Sequence, residues 1–118
     1  MNENQQQKRD NFIKKLVSNS RSILTNQIAI PLGVQKMEKL ISWINSIEPI
    51  NDIDLSVFKE YYSKTSGLAI GTERLQYNKE FLKKQDKKLD ELTTYYKNDI
   101  FDKCFEIISQ FQNTKSQK

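Results

Sequence analysis

The sequence predicts an all-α fold, a compact bundle of about four helices that ends in a long C-terminal helix. Glycine and proline total only five of the 118 residues, which is too few for the many turns of an all-β domain. Apolar residues recur at helical spacings along most of the chain, and strand-like alternation is confined to residues 26–30. Eleven Phe and Tyr residues and one Trp favour a folded core over disorder.

The first two helices are expected at about Arg9–Thr25 and from near Pro31 to before Pro49. Residues 1–8 are expected to be a disordered lead. Gly33 indicates a close helix crossing, because glycine otherwise weakens a helix. Apolar residues of the two helices fall on one face each. These are Phe12, Ile13, Leu16, Val17, Ile23 and Leu24 in the first, and Val34, Met37, Leu40, Ile41, Ile44 and Ile47 in the second.

The third helix is short, at about Asp54–Lys64, with Asp54 as its cap. Its core face is predicted to carry Leu55, Phe58 and Tyr62, with Tyr61 pointing partly outward. The last helix starts between Thr72 and Lys79 and runs to about Phe111, a length of ~45 Å. Its apolar stripe comprises Leu82, Leu89, Leu92, Tyr96, Ile100, Cys104, Ile107 and Phe111. Residues 113–118 are expected to be a frayed tail, which leaves 9–112 as a single helical domain.

The loop between the last two helices, TSGLAIGTERL, contains two of the three glycines. A phosphate-binding P-loop needs four residues between its glycines and then Gly-Lys-Ser/Thr. Here three residues separate Gly67 from Gly71, and Thr-Glu follows. We therefore expect a connector in which Gly67 closes the third helix in a left-handed conformation and Thr72 caps the last one. The alternative is a connector that also presents Glu73 and Arg74 to a partner.

The composition argues against an enzyme. The chain has no histidine, which removes the commonest general base and most zinc sites. Asp52 and Asp54 lack the glycine and distal glutamate of a calcium loop. Cys104 lies on the apolar stripe of the last helix, which predicts a buried side chain rather than a nucleophile. We expect no catalytic residue, no cofactor and no metal.

The cysteine count, the hydropathy and the net charge indicate the compartment of the protein and the kinds of partner it could bind. A single cysteine allows no internal disulfide, and neither an apolar leader nor a membrane-spanning run is seen, so we expect a cytoplasmic protein. The net charge of +4 permits contact with nucleic acid or an acidic protein without requiring either. Four lysines between Lys83 and Glu91 are interrupted by acidic residues, which favours a solvated face over a phosphate site or an acidic partner's site. The pairs Tyr61-Tyr62 and Tyr95-Tyr96 can each place one ring in the core and the other outward or at the rim, which favours helix packing with solvated hydroxyls over a protein interface, although exposed tyrosine suits an interface.

The order of these segments resembles a small family of all-helical bacterial domains, and the likeness covers residues 12 to about 111. It is carried by SRSILTNQIAIPLGVQKMEKL, by DIDLSVFKEYYSKTSGLAIGTERLQY with its Ile-Gly and Arg74, and by NKEFLKKQDKKLDELTTYYKNDIFDKCFEII. The chain departs from the family pattern at Leu32, Ala69 and Tyr77, where relatives carry an acidic residue, proline and tryptophan. Those departures suit a branch with its own specificity.

Proteins similar to these serve as immunity proteins of contact-dependent growth inhibition and related toxin systems. The resemblance implies a cytoplasmic protein that covers the active site or substrate groove of one toxin domain, often a nuclease such as an RNase. Inhibitors of basic nucleases tend to be acidic. With a net charge of +4, this chain would therefore need either a toxin with an acidic surface or acidic patches such as Glu48, Asp52 and Asp54.

Two alternatives are a structural subunit of a larger assembly and a basic helical nucleic-acid-binding or regulatory domain. The second would use Lys14, Lys15, Lys83, Lys84, Lys87 and Lys88. For a protein partner, the loop and its flanks are the predicted contact region, since they combine tyrosine with basic side chains. The predicted partner-binding residues are Tyr61, Lys64, Arg74, Tyr77, Lys84 and Lys88.

Overall fold

A computed structural model describes residues 1–112 and confirms the predicted all-α fold. Four α-helices follow one another, with a short 3-10 helix, Thr72–Gln76, before the last. No strand occurs among residues 1–112. The predicted frayed tail lies outside the described residues. The α-helices are α1 (Glu3–Leu24), α2 (Ile30–Ile47), α3 (Ser56–Thr65) and α4 (Lys79–Phe111).

The four helices form a closed ring, in which α1 packs on α2, α2 on α3, α3 on α4 and α4 on α1. The α1/α2 seam and the α3/α4 seam are therefore on opposite sides of the bundle. All four helices contribute to one apolar core. The described chain measures 52 × 26 × 22 Å, and the 33 residues of α4, at 1.5 Å each, account for its long dimension.

The start of α1 differs from the prediction. The helix begins at Glu3 rather than near Arg9, so the residues predicted as a disordered lead are helical from Glu3 onward. The cause is a reciprocal cap, because the Asn2 side chain accepts from the Gln5 N–H and the Gln5 side chain accepts from the Asn2 N–H. At its other end Asn26 adopts a left-handed conformation, with φ of 62°.

Gly33 lies at the predicted close crossing, between α1 and α2. A Cβ atom placed on Gly33 would be 2.5 Å from Cγ1 and 2.9 Å from Cδ1 of Ile23, a core residue of α1. The buried amide of Asn19 donates to the Gly33 carbonyl over 2.9 Å. The crossing is thus held by apolar contact and by one buried hydrogen bond.

The core face of α3 includes Phe58 as predicted, but Tyr61 takes the core position predicted for Tyr62. Tyr61 is fully buried, and Tyr62 is 38% exposed. The Tyr61 hydroxyl is 2.7 Å from the Thr93 hydroxyl of α4, and its ring meets the Tyr96 ring edge-on with centroids 5.8 Å apart. Burial raises the pKa of Tyr61, so the phenol stays neutral. The Asp54 carboxylate accepts from the Ser56 N–H over 3.0 Å, as expected of a cap, but α3 begins at Ser56 and its N-cap residue is Leu55.

The loop connects α3 to α4 as predicted, but the predicted caps at Gly67 and Thr72 are not formed. No glycine among residues 1–112 has a positive φ, so the left-handed cap at Gly67 is wrong. Thr72 opens the 3-10 helix, and Asn78 caps α4 instead. The Glu73 carboxylate accepts from the Ile70 and Gly71 N–H groups, each over 3.1 Å. An internal carboxylate therefore occupies the amides that a bound phosphate would need.

The loop is attached to α4 by two side chains of that helix. The buried Gln85 amide both accepts from the Ala69 N–H and donates to the Ala69 carbonyl, each over 2.8 Å. Arg74 donates to both carboxylate oxygens of Asp86, over 2.7 and 2.8 Å, and to the Ala69 carbonyl over 3.2 Å. These bonds fix the loop along the N-terminal half of α4.

The buried apolar stripe of α4 lies in its C-terminal half, at Tyr96, Ile100, Cys104 and Ile107. Leu82 and Leu89 of the predicted stripe are only half-buried. Cys104 is buried as predicted, and burial raises the pKa of its thiol to about 11. It is therefore a protonated thiol at neutral pH and not a nucleophile. Among residues 1–112, no helix is both long enough and apolar enough to cross a membrane.

We expect Gly33→Ala to destabilise the fold. Overpacking against Ile23 costs about 1–3 kcal/mol, whereas alanine regains about 1 kcal/mol of helix propensity. The 2.5 Å approach makes the unfavourable effect dominate. Urea denaturation measures the change. Gly67→Ala is the matched control, because nothing lies within 4 Å of its added Cβ. An unchanged or raised stability of Gly33→Ala would contradict the crossing.

Candidate partner-binding site

A groove of about 520 Å³ lies along the α3/α4 seam. Its lining contains five carboxylates and a single ammonium group, that of Lys103. We call this feature the acidic groove. The carboxylates belong to Asp54, Glu60, Asp99, Asp102 and Glu106.

Helix geometry assembles the acidic groove from α4 on one side. Tyr95, Asp99, Asp102 and Glu106 are separated by four, three and four residues, so they share one face of α4. Glu60 of α3 and Asp54, just before α3, line the opposite side. Hydrogen bonds with Ser56 lower the pKa of Asp54, so this carboxylate is charged at neutral pH.

The acidic groove is strongly negative although the chain is basic overall. Five carboxylates against Lys103 leave a local charge of −4. Lys103 itself is paired with Glu106 over 2.9 Å. A concave surface lined by one sign of charge concentrates the electrostatic field and speeds the capture of an oppositely charged partner. The acidic groove is thus suited to a basic partner.

An exposed tyrosine stands at the acidic groove. Tyr95 is 76% exposed, and its ring meets the Tyr96 ring edge-on with centroids 4.9 Å apart. Tyr96 is buried and in turn contacts Tyr61. Lys64 lies over the Tyr96 ring at 5.3 Å, and hydrogen bonding to Tyr96 is the main cause that raises its pKa. Tyr95 is therefore a large exposed contact on a rigid support, as interface hot spots usually are.

The acidic groove is not arranged for metal binding. Within residues 1–112, no group of three or more His, Cys, Asp or Glu side chains could hold a metal ion. Asp54 is engaged with Ser56 and Glu106 with Lys103.

The structure does not gather the six predicted partner-binding residues into one site. Tyr61 is buried, so its prediction as a partner contact is wrong. Arg74 is occupied by Asp86 and the Ala69 carbonyl, which makes it a structural clamp. Lys64 is exposed near the acidic groove. Tyr77 lies far from it, because it stacks on Phe81, ~22 Å along α4 from Tyr96.

The remaining two predicted residues, Lys84 and Lys88, are exposed on the face of α4 that carries Tyr95. The N-terminal half of that face also carries Glu80 and Glu91, so its charge is mixed, whereas the C-terminal half carries carboxylates. Near the start of α4, Leu75 is 89% exposed, and Tyr77 and Phe81, which stack on each other, are each 47% exposed. Of the six predicted residues, only Lys84 and Lys88 lie on α4, on the face that continues into the acidic groove.

Sequence reasoning missed Glu60, Tyr95, Asp99, Asp102 and Glu106 as a group. It named Asp54 within an acidic patch and noted the Tyr95-Tyr96 pair. A helical signal was present, since residues 95, 99, 102 and 106 share one face. The two sides of the groove are about 40 residues apart in sequence, and only the packing of α3 on α4 joins them.

We expect the Arg74–Asp86 pair to stabilise the fold in a pH-dependent way. The hydrogen bond from Arg74 is the main cause that lowers the pKa of Asp86 below its ordinary 3.8. A depressed folded-state pKa means that the contribution is complete above the ordinary value and is lost as the pH falls below it. A double-mutant cycle with Arg74→Ala and Asp86→Ala, measured by urea denaturation, should show favourable coupling at pH ~7 that declines as the pH falls through the depressed pKa of Asp86.

The Lys103–Glu106 pair is the matched control, because it is similarly exposed but has a single hydrogen bond, and its cycle should show weaker coupling at neutral pH. Equal coupling of both pairs at neutral pH would contradict the clamp.

No family model, no curated protein and no solved structure matches the chain.

Proposed function

We propose that this chain is an immunity protein, which binds a cognate toxin domain in the cytoplasm and neutralises it without catalysis. The toxin is a nuclease, an RNase of a contact-dependent growth inhibition system, whose active site or substrate groove is covered. The observation that carries the proposal is the acidic groove with Tyr95 at its edge. The resemblance to immunity proteins supplies the biological setting.

The acidic groove bears on the main objection to this function, which is the basic net charge of the chain. A net charge of +4 disfavours an inhibitor of a basic nuclease, but a partner responds to the charge it faces. The α3/α4 seam presents a local charge of −4, counted over the groove lining. A nuclease binds phosphates through basic side chains, so carboxylates in a row along α4 can take the place of those phosphates.

The support of the acidic groove also favours this function. α4 is one continuous helix, and α3 is anchored to it by the buried Tyr61. Rigid aromatic contacts bind with a small loss of conformational entropy. Tyr95 supplies apolar contact area, and Asp99 and Asp102 beside it supply charge. This combination of an aromatic anchor with complementary charge is typical of tight inhibitors.

The first experiment is a pull-down of the tagged chain from its native host. The lysate is treated with nuclease, the beads are washed at low and then high salt, and retained proteins are identified by mass spectrometry. Retention of one protein in stoichiometric amount, with inhibition of its nuclease activity by the purified chain, supports the proposal. Recovery of nucleic acid alone, lost with nuclease and salt, would instead favour the nucleic-acid-binding alternative.

We expect Asp99→Lys combined with Asp102→Lys to weaken toxin binding by roughly tenfold or more, through a slower association rate and a reversed salt dependence. Both side chains are exposed, so the melting temperature should be unchanged. Surface plasmon resonance against the captured toxin domain measures both rates.

Lys36→Glu combined with Lys39→Glu, on the opposite seam, is the matched control and should leave toxin binding unaffected. A reduction by the control but not by the groove variant would move the interface away from the acidic groove. A loss of helicity in the groove variant would show that Asp99 and Asp102 stabilise the fold.

A further inference from the structure

The α1/α2 seam carries a second groove, of about 670 Å³, on the side of the bundle opposite the acidic groove. We call it the basic groove. Apolar side chains form its floor and ends, with Leu40 buried, Ile28 half-buried, Leu32 38% exposed and Trp43 46% exposed. Its three charged lining residues are all lysines: Lys15, Lys36 and Lys39.

From this groove we infer a docking site for an acidic amphipathic helix of a protein partner, separate from the proposed toxin interface. Leu32, Lys36, Lys39 and Trp43 are separated by four, three and four residues, so they form one face of α2. The two apolar ends, Leu32 and Trp43, are ~16 Å apart, or three helical turns. An amphipathic helix of that length presents anchors at the same spacings.

The charges of the basic groove select the kind of helix. None of the three lysines is ion-paired with another residue of the described chain, 1–112, so all three are available to carboxylates. Lys15 on α1 faces Lys36 and Lys39 on α2 across the groove. A helix with an apolar stripe and glutamates on both flanks would therefore meet a lysine on each side.

The same features disfavour nucleic acid as the occupant. Base stacking needs an accessible ring face, and Trp43 is the one aromatic residue in the lining. Phe12 packs against Trp43 with ring centroids 5.3 Å apart and a tilt of 37°, so one side of the indole is covered. The floor of the groove is apolar rather than basic. An apolar helix face fits such a floor better than a phosphate backbone does.

Trp43 makes the inference directly measurable, because it is the only tryptophan of the chain. The probe is a synthetic helical peptide of about 14 residues, with leucines spaced four, three and four apart and glutamates on their flanks. We expect a saturable blue shift of tryptophan emission, with affinity falling as salt rises from about 50 to 300 mM. Lys36→Glu combined with Lys39→Glu should weaken this binding roughly tenfold or more.

Two comparisons separate this site from the proposed toxin interface. A scrambled peptide of the same composition should not bind, because its leucines no longer share a face. The variant with Asp99→Lys and Asp102→Lys should bind the peptide with the affinity of the unaltered chain, although its binding to the toxin is weakened. The two proposals can therefore fail independently.

Four results would overturn the inference. They are no emission shift with the peptide, equal binding of the scrambled peptide, a stronger response of Trp43 to single-stranded RNA or to anionic vesicles, and an emission shift with protein concentration alone, which would indicate a second copy of the chain.

Discussion

The packing of Tyr61 between α3 and α4 is the interaction on which the functional surface depends. Its hydroxyl meets Thr93 and its ring meets Tyr96, so one side chain fixes both the distance and the rotation of α3 against α4. Rotation of α3 by one residue would bury Tyr62 instead and move Glu60 by about 100° around the helix. The acidic groove exists only in the observed rotation, since Glu60 then faces the carboxylates of α4.

The ring order of the helices separates opposite charges. α1 and α2 bring lysines together on one seam, and α3 and α4 bring carboxylates together on the seam across the bundle. The net charge of +4 is therefore not the local charge at either seam. Because exposed charges more than a Debye length of about 8–10 Å apart are screened from one another, each seam presents its own local charge to a partner.

The sequence predicted the buried positions that depend only on the spacing of residues within one helix. The α2 stripe from Val34 to Ile44 and the close approach at Gly33 are confirmed, because spacing and the missing side chain are local properties. The face of α3 was not predictable in this way. Phe58 is followed by both Tyr61 and Tyr62 at helical spacings, and only the contact with α4 decides between them.

The site was predictable to a smaller extent than the fold. From the sequence, Arg74 is expected to be an exposed cation. Only the fold brings Asp86, twelve residues later, within hydrogen-bonding distance of it. Gly67 and Thr72 are plausible caps by residue type, but the bonds from Gln85 to Ala69 hold the loop in another conformation. Long-range partners of polar side chains are not encoded in local spacing, and the acidic groove depends on them throughout.

The absence of histidine and the buried Cys104 have a consequence for the setting in which the chain acts. No side chain has an ordinary pKa near neutrality, and the thiol ionises only near pH 11. The clamp carboxylate, Asp86, and the capping carboxylate, Asp54, have pKa values below their ordinary range. A fall of one or two pH units from neutrality would therefore leave the charges of Asp86 and Asp54, and with them the clamp on the loop, in place.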